Sequence, residues 1–339
     1  EAEKPLICIG GGVFAAHAEN EIRELADLMQ IPVITTMMGI SVFPDDDQLF
    51  CGMIGTHGVK MANAAVNECD VLFLVGARVG DRAVKTPLAL EKTTKIIHID
   101  IDPAEIGKNI GADLPLVGDA KLVLQQMTEL AKPMKHDEWI AHIKTLGGER
   151  KYVEPAKGTV NPRVFIDRLA KKMPANVTVV ADVGQNQIWT CTEYKFRKEG
   201  RLLTSGGMGT MGYSVPAAIG AKMADNSRAT VAICGDGAFQ MSFMELATAV
   251  QFGVDIKVVV MTNNRLGMVR ELQTNGYHDR QTAVFLDGSP DFIKLAEAYG
   301  IPAMRVYDDD TMDKGVEMLA EHKGICLVEV VVDKDMPTL

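Results

Sequence analysis

Gly235-Asp236-Gly237 closes one apolar run, residues 229–234, and Thr262-Asn263-Asn264 closes another, residues 256–261. An amphipathic helix pattern lies between them. Strand, helix, strand is a βαβ unit, and its right-handed crossover leaves both strand ends on the same edge of a parallel sheet. The pattern predicts that Asp236 and Asn263, with 26 residues between them, converge where such sheets bind ligands. One carboxylate and one amide oxygen cage a metal poorly by themselves. They suit Mg²⁺, which keeps water and phosphate oxygens in its octahedron. Gly235 and Gly237 let backbone N–H groups approach a phosphate at the following helix N-terminus. A Gly-Asp-Gly alone is usually an ordinary turn; the pair of strand ends carries the reading.

Other loops must reach the same edge. Asp182-Val183-Gly184-Gln185-Asn186-Gln187 follows a strand at 178–181 and opens a helix, so its amides can take an anion. The Gly-rich stretch 204–212 precedes a helix that runs to 223. Helices at 163–172, 291–299 and 312–322 and strands at 303–306 and 325–332 complete a domain over 159–339, which opens on Asn161-Pro162 as helix cap and first helical residue. Upstream, strands at 6–9, 32–35, 71–75 and 95–100 alternate with helices at 17–29 and 60–68. Continuous Val/Ile/Leu runs alternating with helices predict a doubly wound parallel sheet, so the fold class is α/β with two such domains. The first spans 1–131. Residues 132–158, rich in Gly, Pro and charge around a short helix at Trp139, read as the linker.

With 339 residues, 47% apolar and 24% charged, the chain has the composition of a soluble globular protein. A net charge of −10 with mixed signs argues against nucleic-acid binding, which needs a basic face. No apolar run approaches the roughly 20 residues of a membrane span, and residues 6–9 are too short for a signal peptide. Six cysteines without a CxxC spacing read as reduced, buried thiols of a cytoplasmic protein.

The GDG–helix–strand–Asn combination resembles the diphosphate–Mg²⁺ motif of thiamine-diphosphate enzymes. GQNQIW, LTSGGMGTMGYSVPAAIGA and LGMVRELQ make it similar to the acetohydroxyacid (acetolactate) synthases, as do PVITTMMG, MIGTHGVKMAN, GARVGDR and IHIDIDPAEIGKN in the first domain. The likeness covers nearly the whole chain. It implies a thiamine diphosphate-binding C-terminal domain in which Asp236, Asn263 and the Arg265 carbonyl hold Mg²⁺, with Asn264 the alternative if the register slips by one. Val183, Gly184, Gln185 and Asn186 would lie by the diphosphate with Gly235, Gly237 and Ala238. Gly209 and Met211 would meet the aminopyrimidine, Met211 as the wedge that keeps the cofactor bent. The same likeness implies an FAD-type middle domain, with flavin contacts at Gly11, Thr36, Met37, Ile54, Gly55, Thr56, His57, Gly76, Ala77, Arg78, Val79, Gly80, Asp100, Ile101 and Asp119. Arg82 would hold the acceptor's carboxylate, and Leu272 would line the acceptor pocket.

This sequence departs from the family at three places. Thr262 replaces one asparagine of the usual pair, Val79-Gly80 replaces Phe-Asp, and Leu272 replaces a tryptophan, widening the pocket. The resemblance implies condensation of two small 2-oxoacids with loss of CO₂ to a 2-acetohydroxyacid, as in branched-chain amino-acid synthesis. Residue 1 aligns near the start of the middle domain. An N-terminal pyrimidine-binding domain with its activating glutamate, or a second catalytic subunit, is therefore expected from outside these residues, and a regulatory small subunit is a further partner. Glu245 matches no such glutamate motif. On that reading these residues alone are inactive. Three alternatives remain: a sulfoacetaldehyde acetyltransferase or glyoxylate carboligase of the same architecture, a cofactor-holding module without turnover, and a nicotinamide-binding protein.

Overall fold

The computed structural model describes residues 2–84, 87–148 and 152–339. Apolar runs with no polar alternation become strands buried on both faces, and every strand pair is parallel. In the first sheet β1 (Pro5–Ile9), β2 (Val33–Thr35), β3 (Phe50–Met53), β4 (Val71–Val75), β5 (Lys95–Asp100) and β6 (Leu114–Val117) lie in the order β3-β2-β1-β4-β5-β6. The second holds β7 (Thr178–Ala181), β8 (Arg201–Thr204), β9 (Thr230–Gly235), β10 (Lys257–Thr262), β11 (Ala303–Val306) and β12 (Cys326–Val331), in the order β11-β12-β10-β9-β7-β8. The order reverses between β1 and β4 in one sheet and between β7 and β9 in the other. Crevices open at such switch points, outside the carboxyl ends of the strands.

The doubly wound α/β class follows the sequence, but several elements differ from it. β3, β6 and β8 are additional strands. β3 is broken by Gly52 at φ 97°, and β6 carries Pro115 on a largely exposed edge, where a missing N–H costs nothing. The helix expected from residue 17 begins at Glu19, because His17 turns the chain at φ 51° and separates it from a short helix, Gly12–Ala15. The single helix expected after Gly237 is three pieces: Asp236–Phe239, a 3₁₀ turn Phe243–Glu245, and Leu246–Gln251.

Contacts divide the chain into two units, Glu1–Arg150 and Lys151–Leu339. The stretch 132–158 is shared between them. Helix Asp137–Leu146 belongs to the first core: Trp139 and Ile143 are buried with Leu72, Leu74 and Ile96, and the indole N–H donates to the Pro5 carbonyl at 2.9 Å. Residues 152–158 side with the second unit, where Tyr152 reaches Glu193 at 3.2 Å and the Asn161 amide donates to the Val153 carbonyl at 2.9 Å. Asn161 caps helix Pro162–Lys172 as its sequence predicts, its Oδ1 accepting from the Arg163 N–H at 2.9 Å.

Candidate functional site

The register of β9 on β10 sets Gly235 opposite Met261, so the next residues of the two strands meet beyond the sheet edge. Asp236 is buried to 1% exposure there. Its Oδ1 accepts from the Gly237 N–H at 2.8 Å, and its Oδ2 accepts from the N–H groups of Asn263 at 3.1 Å and Asn264 at 2.6 Å. The predicted convergence of Asp236 and Asn263 is thus a direct contact. Burial pushes the carboxyl up to about 6, with the three backbone N–H groups pulling the other way. Among the described residues no cationic side chain pairs with it.

Asn263 is oriented from both ends. Its Oδ1 accepts from the Arg265 N–H at 3.1 Å, and its Nδ2 donates to the Gln185 Oε1 at 3.3 Å. One lone pair of Oδ1 remains. Asn264 sits at φ 54°, exposed, and its carbonyl takes the Leu286 N–H, tying this turn to residues 284–287.

The loop after β7 completes the edge. Asn186 spans the switch point, donating to the carbonyls of Asp182 at 2.8 Å and Ile233 at 3.2 Å. A Cβ at Gly184 (φ 143°) would lie 2.7 Å from the Asn186 Oδ1, and one at Gly235 would lie 3.3 Å away. These two glycines make room for that amide as well as for a ligand. Asp182, fully buried, accepts from the N–H groups of Val183, Gly212 and Ser214 at 2.8–3.0 Å. It therefore ties the Gly-rich loop to the end of β7. The sequence shows Asp182 only as the first letter of its loop; a carboxylate directly after a buried strand and two residues ahead of a glycine is the signal that could have singled it out.

These residues line an open cavity of ≈ 570 Å³. Val183, Gly184, Gln185, Asn186, Met211, Gly235, Asp236, Gly237, Ala238, Asn263 and Arg265 all face it. Gly209 and Leu272 do not belong to its lining: both are exposed, Leu272 at 57%. Trp189, Leu266, Gly267 and Met268, not singled out from sequence, do line it. The Met211 methyl stands 3.5 Å from where a Gly237 Cβ would be, over the middle of the glycine turn.

No group of three or more His, Cys, Asp or Glu side chains gathers to hold a metal among the described residues. A cation at Asp236 must therefore complete its shell with amide, carbonyl and non-protein oxygens. That is the donor set Mg²⁺ takes when it rides on a phosphorylated ligand. A buried carboxylate without a counter-ion, beside a glycine-lined cavity and two helix starts, fits a metal-bound diphosphate.

Comparison with known proteins decides the family. Residues 182–330 match the thiamine pyrophosphate enzyme C-terminal TPP binding domain, and residues 1–127 match the thiamine pyrophosphate enzyme central domain. The chain belongs to the thiamine pyrophosphate enzymes. It is 40% identical over 98% of its length to a Methanocaldococcus jannaschii protein named "Probable acetolactate synthase large subunit", of which it covers 58%. It is 36% identical over 98% of its length to the acetolactate synthase large subunit of Lactococcus lactis, again covering 58%. Against the acetolactate synthase of Mycobacterium bovis it is 39% identical over 98% of its length and covers 55%. The chain thus spans a little over half the length of the relatives it matches.

In this thiamine pyrophosphate enzyme the central-domain edge is built differently. A Cβ at Gly10 would lie 2.1 Å from the Gly76 carbonyl oxygen, one at Gly12 2.7 Å from the Gly76 Cα, and one at Gly55 2.3 Å from the Arg82 carbonyl oxygen. These glycines, Gly76 among them, pack the protein's own loops together. Gly11 faces Met38, with a built Cβ 3.1 Å from its side chain. Asn63, missed from sequence, clamps Gly55, accepting from its N–H at 2.9 Å and donating to its carbonyl at 3.0 Å. Thr36 donates its N–H to the Ile9 carbonyl and opens the 3₁₀ turn at Met37; Ile54 donates to the Thr35 carbonyl, and Thr56 to the Arg82 carbonyl. Ala77 and Val79 are buried, Val79 at φ 47°, while Arg78, Gly80, Arg82 and Ile101 are exposed and His57 is half-buried. The Asp100 Oδ1 accepts from the Asp102 N–H at 3.0 Å, and Asp119 caps the next helix through the Leu122 N–H at 3.2 Å. Each carboxylate keeps further acceptor capacity.

Among the described residues no helix is long and apolar enough to cross a membrane. All six cysteines are free and buried. Burial raises the thiols of Cys8, Cys51, Cys69 and Cys191 to about 12 and that of Cys326 to about 11.

Proposed function

We propose that this chain supplies the diphosphate–metal half of a thiamine diphosphate site in an acetolactate synthase large subunit. The reaction is condensation of pyruvate with a second 2-oxoacid, pyruvate or 2-oxobutyrate, with loss of CO₂. The observation that carries this is the contact of the buried Asp236 carboxylate with the Asn263 N–H, at the ends of β9 and β10 beside the β7/β9 switch of a family-matched domain.

When bound, the cofactor supplies a nucleophilic carbon and an electron sink for decarboxylation. The chain's own residues do the holding. Asp236, Asn263 and the Arg265 carbonyl would take Mg²⁺; Val183, Gly184, Asn186, Gly235, Gly237 and Ala238 would receive the diphosphate. Met211, over Gly237, would prop the cofactor between its two rings, with Gly209 beside the pyrimidine. Gln185, assigned to the diphosphate from sequence, has its side chain committed to Asn263 and the segment 336–338, so only its backbone is offered for that role. Arg82 would steer the acceptor's carboxylate, and Leu272 would face the acceptor in the assembled enzyme.

The same proposal gives the first unit FAD, with exposed Arg78 for the diphosphate and Asp100 and Asp119 for ribose hydroxyls. The remaining partners are a pyrimidine-binding domain or second catalytic subunit that brings the activating glutamate, and a regulatory small subunit. The setting is the cytoplasm, as for a branched-chain amino-acid biosynthetic enzyme.

The test is calorimetric titration of the 339-residue chain with thiamine diphosphate, with and without Mg²⁺, followed by addition of pyruvate. Metal-dependent binding without steady acetolactate is expected. Absence of metal-dependent binding sinks the cofactor reading, and steady acetolactate sinks the requirement for a completing domain. A flavin-type absorbance on purification tests the first unit.

A further inference from the structure

The segment 336–338 is fastened to the candidate site by a continuous hydrogen-bond chain. The Gln185 Nε2 donates to the Met336 carbonyl at 2.9 Å and lies 3.2 Å from both the Thr338 Oγ1 and the Glu271 Oε2. The Thr338 hydroxyl donates to the same Glu271 oxygen, and the Thr338 N–H donates to it at 3.1 Å. The Trp189 indole N–H donates to the Pro337 carbonyl at 3.1 Å. With its Nε2 used in this way, Gln185 can present only Oε1 toward Asn263, whose Nδ2 donates to it at 3.3 Å. Asn263 must then hold its own Oδ1 away from Gln185.

The fit is steric as well. A Cβ on Gly267 would lie 1.9 Å from the Gln185 Oε1, 2.6 Å from its Cδ and 3.1 Å from the Asn263 Nδ2. Gly267 is buried at the start of helix Gly267–Gly276, where any side chain would push the Gln185 amide out of reach of Asn263. Gln185, Met336 and Thr338 are each 3–4% exposed, so water does not replace these bonds.

Resting on the reading of the cavity as a metal-bound diphosphate site, we propose that residues 336–338 and Glu271 set the ligating orientation of Asn263 through Gln185. Docking of this segment and binding of the divalent cation are then coupled. Gln185, Glu271 and Thr338 are positioning residues: none touches the cation, and each acts through the next. Groups that orient a metal ligand from behind change metal affinity by about 10–100-fold when removed. Coupling of this kind is reciprocal, so the bound cation must also hold the segment down.

The test compares the wild-type 339-residue chain with Gln185→Leu, Thr338→Val, Thr338→Ser and Gly267→Ala. Mg²⁺ is titrated at saturating thiamine diphosphate and followed by calorimetry and by Trp189 fluorescence. Exchange of the Thr338 amide hydrogen is followed with and without both ligands. Half-saturation by Mg²⁺ is expected to rise about tenfold in Gln185→Leu, Thr338→Val and Gly267→Ala, and to return to near the wild-type value in Thr338→Ser. In the wild type, the ligands slow exchange at Thr338; in Gly267→Ala they do not. Wild-type Mg²⁺ affinity in all the variants overturns the coupling while leaving the cofactor site standing. Failure of the wild type to bind thiamine diphosphate overturns both.

Discussion

The two sheets end in opposite ways at their carboxyl edges. At the β1/β4 edge, glycines let loop backbones touch: Gly10 and Gly12 on Gly76, and Gly55 on residue 82. At the β7/β9 edge the glycines face side chains instead: Gly184 and Gly235 meet the buried Asn186 amide, Gly267 the Gln185–Asn263 pair, and Gly237 the side chains of Leu266, Leu286 and Met211. The first edge satisfies itself with backbone hydrogen bonds, such as Gly12 to the Gly76 carbonyl at 3.0 Å and Gly76 to the Ile99 carbonyl at 2.9 Å. The second keeps the Asp236 carboxylate out of water with no positive partner among the described residues. One architecture therefore yields one edge whose glycines stitch backbone to backbone and another where a buried acid is retained beside a cavity. Glycine count alone does not tell them apart; what the glycines face does.

The largest effect expected from this contrast is structural. Gly10→Ala should unfold or rearrange the first unit, at a cost of about 4 kcal/mol or more, because its Cβ would overlap the Gly76 carbonyl. Urea unfolding should show that loss while Gly80→Ala, with nothing within 4 Å of its Cβ, stays near wild type. Next, Asp182→Ala strips three backbone N–H groups of a buried acceptor. A loss of about 3 kcal/mol is expected, with faster hydrogen exchange over residues 205–213. Unchanged exchange there would mean the Gly-rich loop is held by something other than Asp182.

The third prediction concerns pH. Burial lifts the Asp236 carboxyl from an ordinary 3.8 to about 6, which corresponds to about 3 kcal/mol between its two protonation states. The folded value lies above the unfolded one, so Asp236's contribution to stability is full below 3.8 and is lost as pH rises through about 6. For the metal-free chain, the stability advantage of wild type over Asp236→Ala should shrink as pH goes from 4 to 7, read by urea unfolding. Mg²⁺ with thiamine diphosphate should cancel that decline at neutral pH. The smallest effect belongs to Leu272, exposed and outside the cavity lining: Leu272→Ala should shift stability by less than about 0.5 kcal/mol. It should also leave cofactor binding unaltered; a change there would bring the residue back into the site.

Much of this was legible in the residues. Continuous apolar runs named the parallel strands, and Gly235-Asp236-Gly237 with Asn263 placed the site because strand ends in a βαβ unit must meet. The edge strand β11 was legible, but β6 was not: it carries a proline and faces solvent, so it has none of the buried-strand pattern. The linker reading stopped at composition and could not see that Trp139 anchors its helix to β1. What Asp182 and the segment 336–338 hold was not legible for another reason. Their partners lie 30 residues and about 150 residues away, a separation no local pattern reports.

The six cysteines have a practical consequence. With all six thiols buried and pushed well above their ordinary value by that burial, alkylation must wait for the chain to open. Cys8, Cys51 and Cys69 lie in the first unit, and Cys191, Cys234 and Cys326 in the second. A single labelling time course, read peptide by peptide, is therefore a pair of clocks, each ticking at the rate at which one half of the molecule comes undone.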